Sequence, residues 1–585
     1  MHTSPISTFL IGSESLLIQC GKYLLSSGHV IRGIVSNAPQ IREWAATQSI
    51  RIVDPQTDYT SVLREEPFDY LLSITNFSII PDDVLAVPTY GTINFHDGPL
   101  PLYAGLNVTT WALADEAESH AISWHVVDTG IDTGNVVLER AVELGPDETA
   151  FSLNTKCFEA GIDSFPDLVS ILESRTLEGR AQGDGRRQYF GKFHRPSRAG
   201  ILDLTESASK IAALIRSLDF GTYENPIGLP KLLIGDMVVF ARSITIGSES
   251  TQPPGTVLSC SKDSLSISTA TFDVVLSNLT IVKHGTGGRS NDLSTRIIPG
   301  DSVIPVPALD LDQLGWADSK AARNDVRALR VLRDPHPVII PKTTDATANG
   351  FDRHELIPAH TAGSEESTAE IVCATVVTFL AKMCNQAAVD VLVYGSGDSN
   401  DKVHGRLFQE GAAVRFTFND IDETIENAFA RTSKRLGSYR AFSGYSVDLA
   451  TRYPLLPTPA DLETVEVHFS DVPREPSGNR AVAITVTESG TVWFVADQAK
   501  LSRDDFSRMR KQFKHFSTYA ARRPTAAFRE IGLLEKKDFQ RILFDWNTSA
   551  VTYEPSTIQH QFDDAVRKYG DAVALVTDRE RVSYT

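Results

Sequence analysis

Short apolar runs alternate with helix-spaced apolar positions over the first 80 residues. Residues 8–11 read as a buried strand. Leu17, Cys20, Leu24 and Leu25 then recur on one helical face across 15–26, and Gly28 ends that helix. A second apolar run covers 30–36, a second helix 41–48, and a third strand 70–74. This order predicts a doubly wound, mostly parallel α/β sheet, closed by an amphipathic helix over about 150–174. A ligand site in such a sheet lies at the carboxyl ends of the strands. The first turn, Ile11-Gly12-Ser13-Glu14-Ser15, lacks the glycine spacing of a dinucleotide fingerprint, so no dinucleotide is expected there.

The pattern changes from about residue 188. Residues 189–196 read as a linker, and Thr205 as the cap of a helix with Ile211, Leu214, Ile215 and Leu218 on one face. Short alternating strands follow to about Val282, broken at 253–255 and 262–264, which predicts a small barrel after the helix. Residues 306–340, rich in Pro, Asp and Arg, read as a connector. Helices at 370–383, 423–435 and 503–519 then mix with strands at 390–394, 464–470 and 481–497.

At 585 residues the chain is long enough for three or four domains, and 42% hydrophobic with 22% charged residues is ordinary globular composition. Its formal net charge is -18, and the first 190 residues hold 11 Lys and Arg against 25 Asp and Glu. That balance opposes a nucleic-acid partner. The cysteines, Cys20, Cys157, Cys260, Cys373 and Cys384, are scattered with no C-x-x-C pair, which fits a reducing cytoplasm without disulfides or zinc. With no secretory leader and no membrane-length apolar run, a cytoplasmic protein with no membrane partner is expected.

Candidate chemistry lies in Asn94-Phe95-His96-Asp97-Gly98-Pro99-Leu100-Pro101 and in Asp128-Thr129-Gly130-Ile131-Asp132-Thr133-Gly134. Asn94 and His96, two apart, share one face of a strand, whereas Asp97 falls on the other. An amide, an imidazole and a carboxylate from a Gly-bracketed turn suit acyl transfer: one steadies an oxyanion and two manage protons. Asp128 and Asp132 compete for the carboxylate role, each preceding a Thr-Gly. His120 and His125 are five apart without a third ligand, so no metal is expected. The 284–289 segment lacks a P-loop ending and reads as a hairpin loop, and no G-x-S-x-G frames a serine nucleophile.

These motifs, with Tyr103-Ala104-Gly105, resemble the formyltransferase family that uses 10-formyltetrahydrofolate. The resemblance implies a Rossmann-like catalytic domain over 1–187 with Asn94, His96 and Asp132 as catalytic set, leaving Asp128 as a turn former. It sets Gly98, Pro99, Leu100 and Pro101 where relatives carry Ser-Leu-Leu-Pro against the folate. The hydroxyl contact is thereby lost at Gly98 while backbone contacts survive. Asn107 and Trp111 lie near enough to reach the acceptor pocket, Trp111 being equally readable as core. Asp219-Phe220-Gly221 and Asn225-Pro226-Ile227-Gly228 resemble the family's small barrel-like C-terminal subdomain, here 188–305, in the version that opens certain nonribosomal peptide synthetases.

Residues 341–540 resemble the C-terminal half of a condensation domain of the chloramphenicol-acetyltransferase type, an α+β fold, but the His-His-x-x-x-Asp-Gly motif is absent from the chain. The tail, 541–585, resembles the connector into an adenylation domain, through Trp546-Asn547, His560-Gln561-Phe562 and Val582-Ser583-Tyr584-Thr585. The resemblance implies formyl transfer from 10-formyltetrahydrofolate to a primary amine. The expected acceptor is an amino acid on the phosphopantetheine arm of a carrier protein, with downstream synthetase domains as partners. A free amino acid is the main rival, a nucleotide-linked amino sugar comes third, and a non-catalytic scaffold is the reading from a different class. The second half is expected to be a scaffold that formylation of a small amine can do without.

Overall fold

The computed structural model describes the chain apart from residues 1–4, 184–186, 236, 284–288, 291–296, 304, 306–309, 344, 347, 358–367, 396–403, 410, 419, 421, 441–443, 458–464, 550 and 553–554. Five strands alternate with four helices at its start: β1 (Ser7–Ile11), α1 (Ser15–Ser26), β2 (Val30–Val35), α2 (Pro39–Thr47), β3 (Ile52–Val53), α3 (Tyr59–Leu63), β4 (Tyr70–Ser73), α4 (Asp82–Leu85) and β5 (Gly91–His96). The chain continues through β6 (Ala104–Gly105), α5 (Val108–Ala114), β7 (His120–Val126), β8 (Val136–Val142), α6 (Ala150–Glu173) and β9 (Tyr189–Phe190). The main sheet runs β3-β2-β1-β4-β5-β7-β8.

Strands β1 to β5 are parallel, but β7 is antiparallel to both β5 and β8. The sheet is therefore mostly parallel, as expected, with an antiparallel edge where the short turn over 127–135 can join β7 to β8 only as an antiparallel pair. Alternate residues of β1 feed two cores. Leu10 packs with Leu17, Ile41 and Phe165 on the side of α1, α2 and α6, while Phe9 and Ile11 pack with Leu63, Phe68 and Val84 on the side of α3 and α4. Helix α6 is fixed at its start by Thr149 and Ser152, each side chain taking the other's backbone N–H.

Helix α7 (Ala208–Ser217) is capped by Ser207, whose side chain accepts from the Lys210 N–H. Thr205, expected as the cap, instead donates both its N–H and its hydroxyl to Asp203. Eight strands follow: β10 (Lys231–Ile234), β11 (Met237–Phe240), β12 (Ser243–Glu249), β13 (Val257–Cys260), β14 (Ser264–Ile267), β15 (Phe272–Ser277), β16 (Thr280–Lys283) and β17 (Arg289–Ser290). They form two four-stranded sheets around one apolar core that α7 covers through Ile211 and Ile215. The loop expected at 284–289 lies largely outside the described residues.

The supposed connector holds a 22-residue helix, α8 (Leu311–Leu332). Its nearby prolines lie outside the helix, Asp310 caps it, and Leu314, Ala317, Ala321, Ala328 and Leu332 line its buried face. Helical periodicity thus outweighs the polar composition. Leu314, Ala317 and Ala321 pack directly on Ile201, Leu233, Val238 and Phe240 of the barrel subdomain.

The second half adds β18 (Phe351–Leu356), α9 (Thr368–Cys384), β19 (Ala388–Tyr394), α10 (His404–Leu407), β20 (Gly411–Thr417), α11 (Ile425–Arg440), α12 (Leu449–Arg452), β21 (Glu466–Phe469), β22 (Val482–Val486), β23 (Val492–Asp497) and α13 (Arg503–Arg522). Its six strands run β18-β23-β22-β21-β19-β20 and bury a core with α9 and α13, in which Phe379, Phe494, Phe513 and Phe516 meet. From Gly532 onward no described residue is buried. Among the described residues no helix is long and apolar enough to cross a membrane.

Candidate active site

Register brings the first motif together. Asn94 on β5 faces Ser73 on β4 and His125 on β7. The Ser73 hydroxyl donates to Asn94 Oδ1 at 2.7 Å, and Asn94 Nδ2 lies 3.1 Å from His125 Nε2. His125 Nδ1 lies 2.9 Å from the Val126 carbonyl and must carry hydrogen there, leaving Nε2 of a neutral ring to accept from Asn94. The second amide hydrogen of Asn94 then remains available to a ligand.

His96 is 4% exposed. Its Nε2 donates to the Tyr103 carbonyl at 2.8 Å, which turns Nδ1 toward Asp132, 3.8 Å from Oδ2. A neutral ring would set a lone pair against that carboxylate, whereas a protonated ring presents an N–H to it and to the site.

Asp132 occupies the left-handed region at φ 51°, in the Gly-bracketed turn. Gln182 and Arg187 side chains hold this strained backbone by donating to the Asp132 carbonyl at 3.0 and 3.1 Å. The carboxylate accepts from the Gly105 N–H at 2.8 Å and lies 3.4 Å from His125 Nε2. Nε2 accepts from Asn94 when the ring is neutral and can donate to Asp132 when the ring carries hydrogen on both nitrogens, but it cannot do both at once. Burial pushes the Asp132 carboxyl up, but the His125 contact, the nearby His96 charge and the Gly105 N–H outweigh it and bring its pKa to about 2. Asp128 holds the turn: its Oδ1 accepts from the Gly130 N–H at 3.1 Å and the Thr133 hydroxyl at 2.5 Å.

In the loop after β5, Ser123 donates to the Gly98 carbonyl at 2.8 Å and accepts from the Leu100 N–H at 3.3 Å. Leu100 is buried with Ala104 and Val136, so its side chain faces the core, while Pro99 and Pro101 stay half-buried. The Leu100–Pro101 peptide is cis. A Cβ on Gly98 would lie 3.0 Å from the Tyr103 carbonyl oxygen and 3.1 Å from His96 Nε2, so any side chain there would press on the hydrogen bond orienting His96.

Trp111 belongs to the core rather than to an acceptor pocket. It stacks on Phe190 at 5.1 Å and donates from Nε1 to the Leu106 carbonyl at 3.2 Å. Asn107 precedes α5 at φ 55°. His125, weighed in the sequence only as a metal ligand, is a member of the site. The signal was alternation: Ser123 and His125 share one face of β7, opposite His96 and Asn94. Beyond β4, Phe77 and Ile79 are 67% and 81% exposed at the same carboxyl edge of the sheet. Among the described residues no group of three or more His, Cys, Asp or Glu could hold a metal.

Residues 45–169 match the formyl transferase family. The methionyl-tRNA formyltransferase of Acetivibrio thermocellus is 26% identical over 249 residues, which span 42% of this chain and 78% of the relative. That of Alkaliphilus oremlandii is 25% identical over 276 residues, 44% of this chain and 86% of its own. Among solved structures, the N-formyltransferase from Helicobacter canadensis, in complex with folinic acid and dTDP-3-aminofucose, is 16% identical at a TM-score of 0.38. It covers 46% of this chain and 99% of its own. With Asn94, His96 and Asp132 gathered at the edge of a mixed α/β sheet inside the matched segment, the chain carries a formyl transferase domain and is an enzyme of the formyltransferase kind.

Proposed function

We propose that the protein moves a formyl group from 10-formyltetrahydrofolate to the primary amine of an amino acid carried on the phosphopantetheine arm of a carrier protein. The observation that carries this is the convergence of Asn94, His96 and Asp132 on one spot bounded by β5, β7 and the 128–134 turn. The folate supplies the activated formyl group. Phe77 and Ile79, exposed beside the site, offer an apolar surface for its ring system.

Negative charge gathers on the formyl oxygen as the amine attacks. The free amide hydrogen of Asn94 and the Nδ1–H of protonated His96 meet that charge, each worth on the order of 3 kcal/mol when well placed. Asp132, with its pKa near 2, is ionised at neutral pH and a poor proton sink by itself. Its charge steadies the positive charge on the attacking nitrogen, whose proton passes through water to N10 of the folate as the formyl carbon–N10 bond breaks, leaving the formamide and tetrahydrofolate. The amine is the nucleophile, so no covalent enzyme intermediate is needed; positioning two bound reactants supplies most of the remaining rate gain.

The relatives named for methionyl-tRNA support an aminoacyl amine as acceptor. The 11 basic against 25 acidic residues of the first 190 oppose tRNA as what carries it. The condensation-like character of 341–540 and the adenylation-like tail favour a synthetase setting. Incubation with 10-formyltetrahydrofolate and, separately, aminoacyl-carrier protein, free amino acids and amino sugars, followed by mass spectrometry, tests the assignment. Formylation of the carrier-bound amine is expected; exclusive formylation of a free amino acid or an amino sugar overturns the acceptor.

A further inference from the structure

We propose that Arg195 is a positioning residue for Asp132 and His96, and that through it the second half of the chain is part of the working enzyme; this rests on the formyl-transfer reading above. Arg195 is 8% exposed and sits where the two halves meet. It donates to the Pro226 carbonyl at 2.8 Å and pairs with Asp325 of α8 at 3.4 Å. Asp325 also pairs with Arg452 at 2.6 Å and accepts from the Ser446 N–H at 2.8 Å. Arg452, 1% exposed, pairs with Asp448 at 2.9 Å, and Asp448 in turn accepts from the Leu229 N–H at 3.0 Å and faces Lys231 at 3.5 Å. The barrel side thus contributes Arg195 and Lys231, and the second half contributes Asp325, Asp448 and Arg452. Buried charges of this kind are tolerable only when paired, so each side completes the other.

The connection to the active site is short. His194, next to Arg195, sets its ring edge against Trp111 at 4.5 Å and Phe190 at 5.1 Å. Phe190 stacks on Trp111 and lies parallel to the Tyr103 ring at 6.1 Å. Its strand, β9, pairs with β6, taking the Leu106 N–H at the Phe190 carbonyl and the Ala104 N–H at the Gln188 carbonyl, both at 2.9 Å. Gly105 adopts φ 101°, and a Cβ there would lie 2.2 Å from the Phe190 carbonyl oxygen, so the two strands abut with no room for a side chain. The backbone clamped in this way is the one that grips the catalytic groups: the Gly105 N–H holds Asp132 and the Tyr103 carbonyl holds His96.

The test uses the full chain with Arg195→Leu, Arg195→Lys and Asp325→Asn, read by amide hydrogen exchange and by formyl-transfer kinetics. Arg195→Leu is expected to speed exchange in peptides covering 103–106 and 188–194, leaving β1 and β4 as in the wild type. It should also lower kcat by at least about tenfold with KM for the amine within about twofold, because displaced catalytic groups harm the transition state more than binding. Arg195→Lys should recover most of the loss, and Asp325→Asn should reproduce it more mildly if Arg195→Leu does not fold. Unchanged exchange at 103–106, a change spread evenly through the sheet, or a kcat within twofold of wild type overturns the proposal. If the wild type formylates no amine, the proposed function fails instead, and exchange alone decides whether Arg195 governs the 103–106 backbone.

Discussion

Gly105 donates its backbone N–H to the carboxylate of Asp132 across 2.8 Å, so a two-residue strand at the subdomain joint grips the acid of the site. Asp132 is therefore held from three directions: by that amide, by the two histidines, and by the Gln182 and Arg187 side chains on its own carbonyl.

Asp132→Asn is expected to lower turnover by at least about a hundredfold while the fold is kept, since the lost charge acts chiefly in the transition state. Steady-state kinetics with circular dichroism checks both halves of that statement.

The same carboxyl sets a pH dependence. Its folded pKa, about 2, lies below the ordinary 3.8, so its contribution to stability is present above about pH 4 and is lost as pH falls through about 2. The contribution is about 2 kcal/mol. Denaturant unfolding should show wild type and Asp132→Asn converging across that window; a constant difference down to pH 2 contradicts the shift.

His96→Ala and Asn94→Ala should each cost about a hundredfold or more in turnover, and Asn94→Asp at least as much, because a carboxylate there repels the developing oxyanion. His125→Gln should cost about tenfold, since it releases Asn94 and Asp132 without touching the reacting atoms. Near-normal kcat in any of these variants removes that residue from its role.

Gly98→Val should fold but lose about tenfold or more in kcat, because the new Cβ crowds the Tyr103 carbonyl that orients His96. Kinetics beside a thermal melt separates this local effect from unfolding.

A chain cut after residue 305 should be insoluble or molten. It would expose Leu233, Val238 and Phe240 and leave Arg195 and Lys231 without their buried partners, at a cost of about 3–5 kcal/mol for a broken buried pair. Size-exclusion chromatography and near-UV circular dichroism of the cut chain provide the check. This reverses the expectation that the second half is dispensable.

The sequence revealed the elements built on strong local periodicity. Strands at 8–11 and 70–74 and helices at 15–26 and 150–174 stand where the apolar spacing indicated. A strand's period of two put Asn94 and His96 on one face, whereas only the family resemblance chose Asp132 over Asp128; the structure brings the three side chains together. His125 escaped because its role depends on which strand lies beside β5, and antiparallel pairing of β7 is a long-range choice. Helix α8 escaped because the flanking prolines and many charges masked a regular apolar stripe. The pairing of Arg195 with Asp325 joins residues 130 positions apart, and no local pattern announces it.

The most direct test of the central claim is mass spectrometry of an aminoacyl-carrier protein after incubation with the full chain and 10-formyltetrahydrofolate, with Asp132→Asn in parallel. The prediction is a gain of one formyl group on the aminoacyl amine with the wild type and almost none with the variant. No gain on that amine or on any other offered amine, or equal gain with the two proteins, would contradict the assignment of formyl transfer to Asn94, His96 and Asp132.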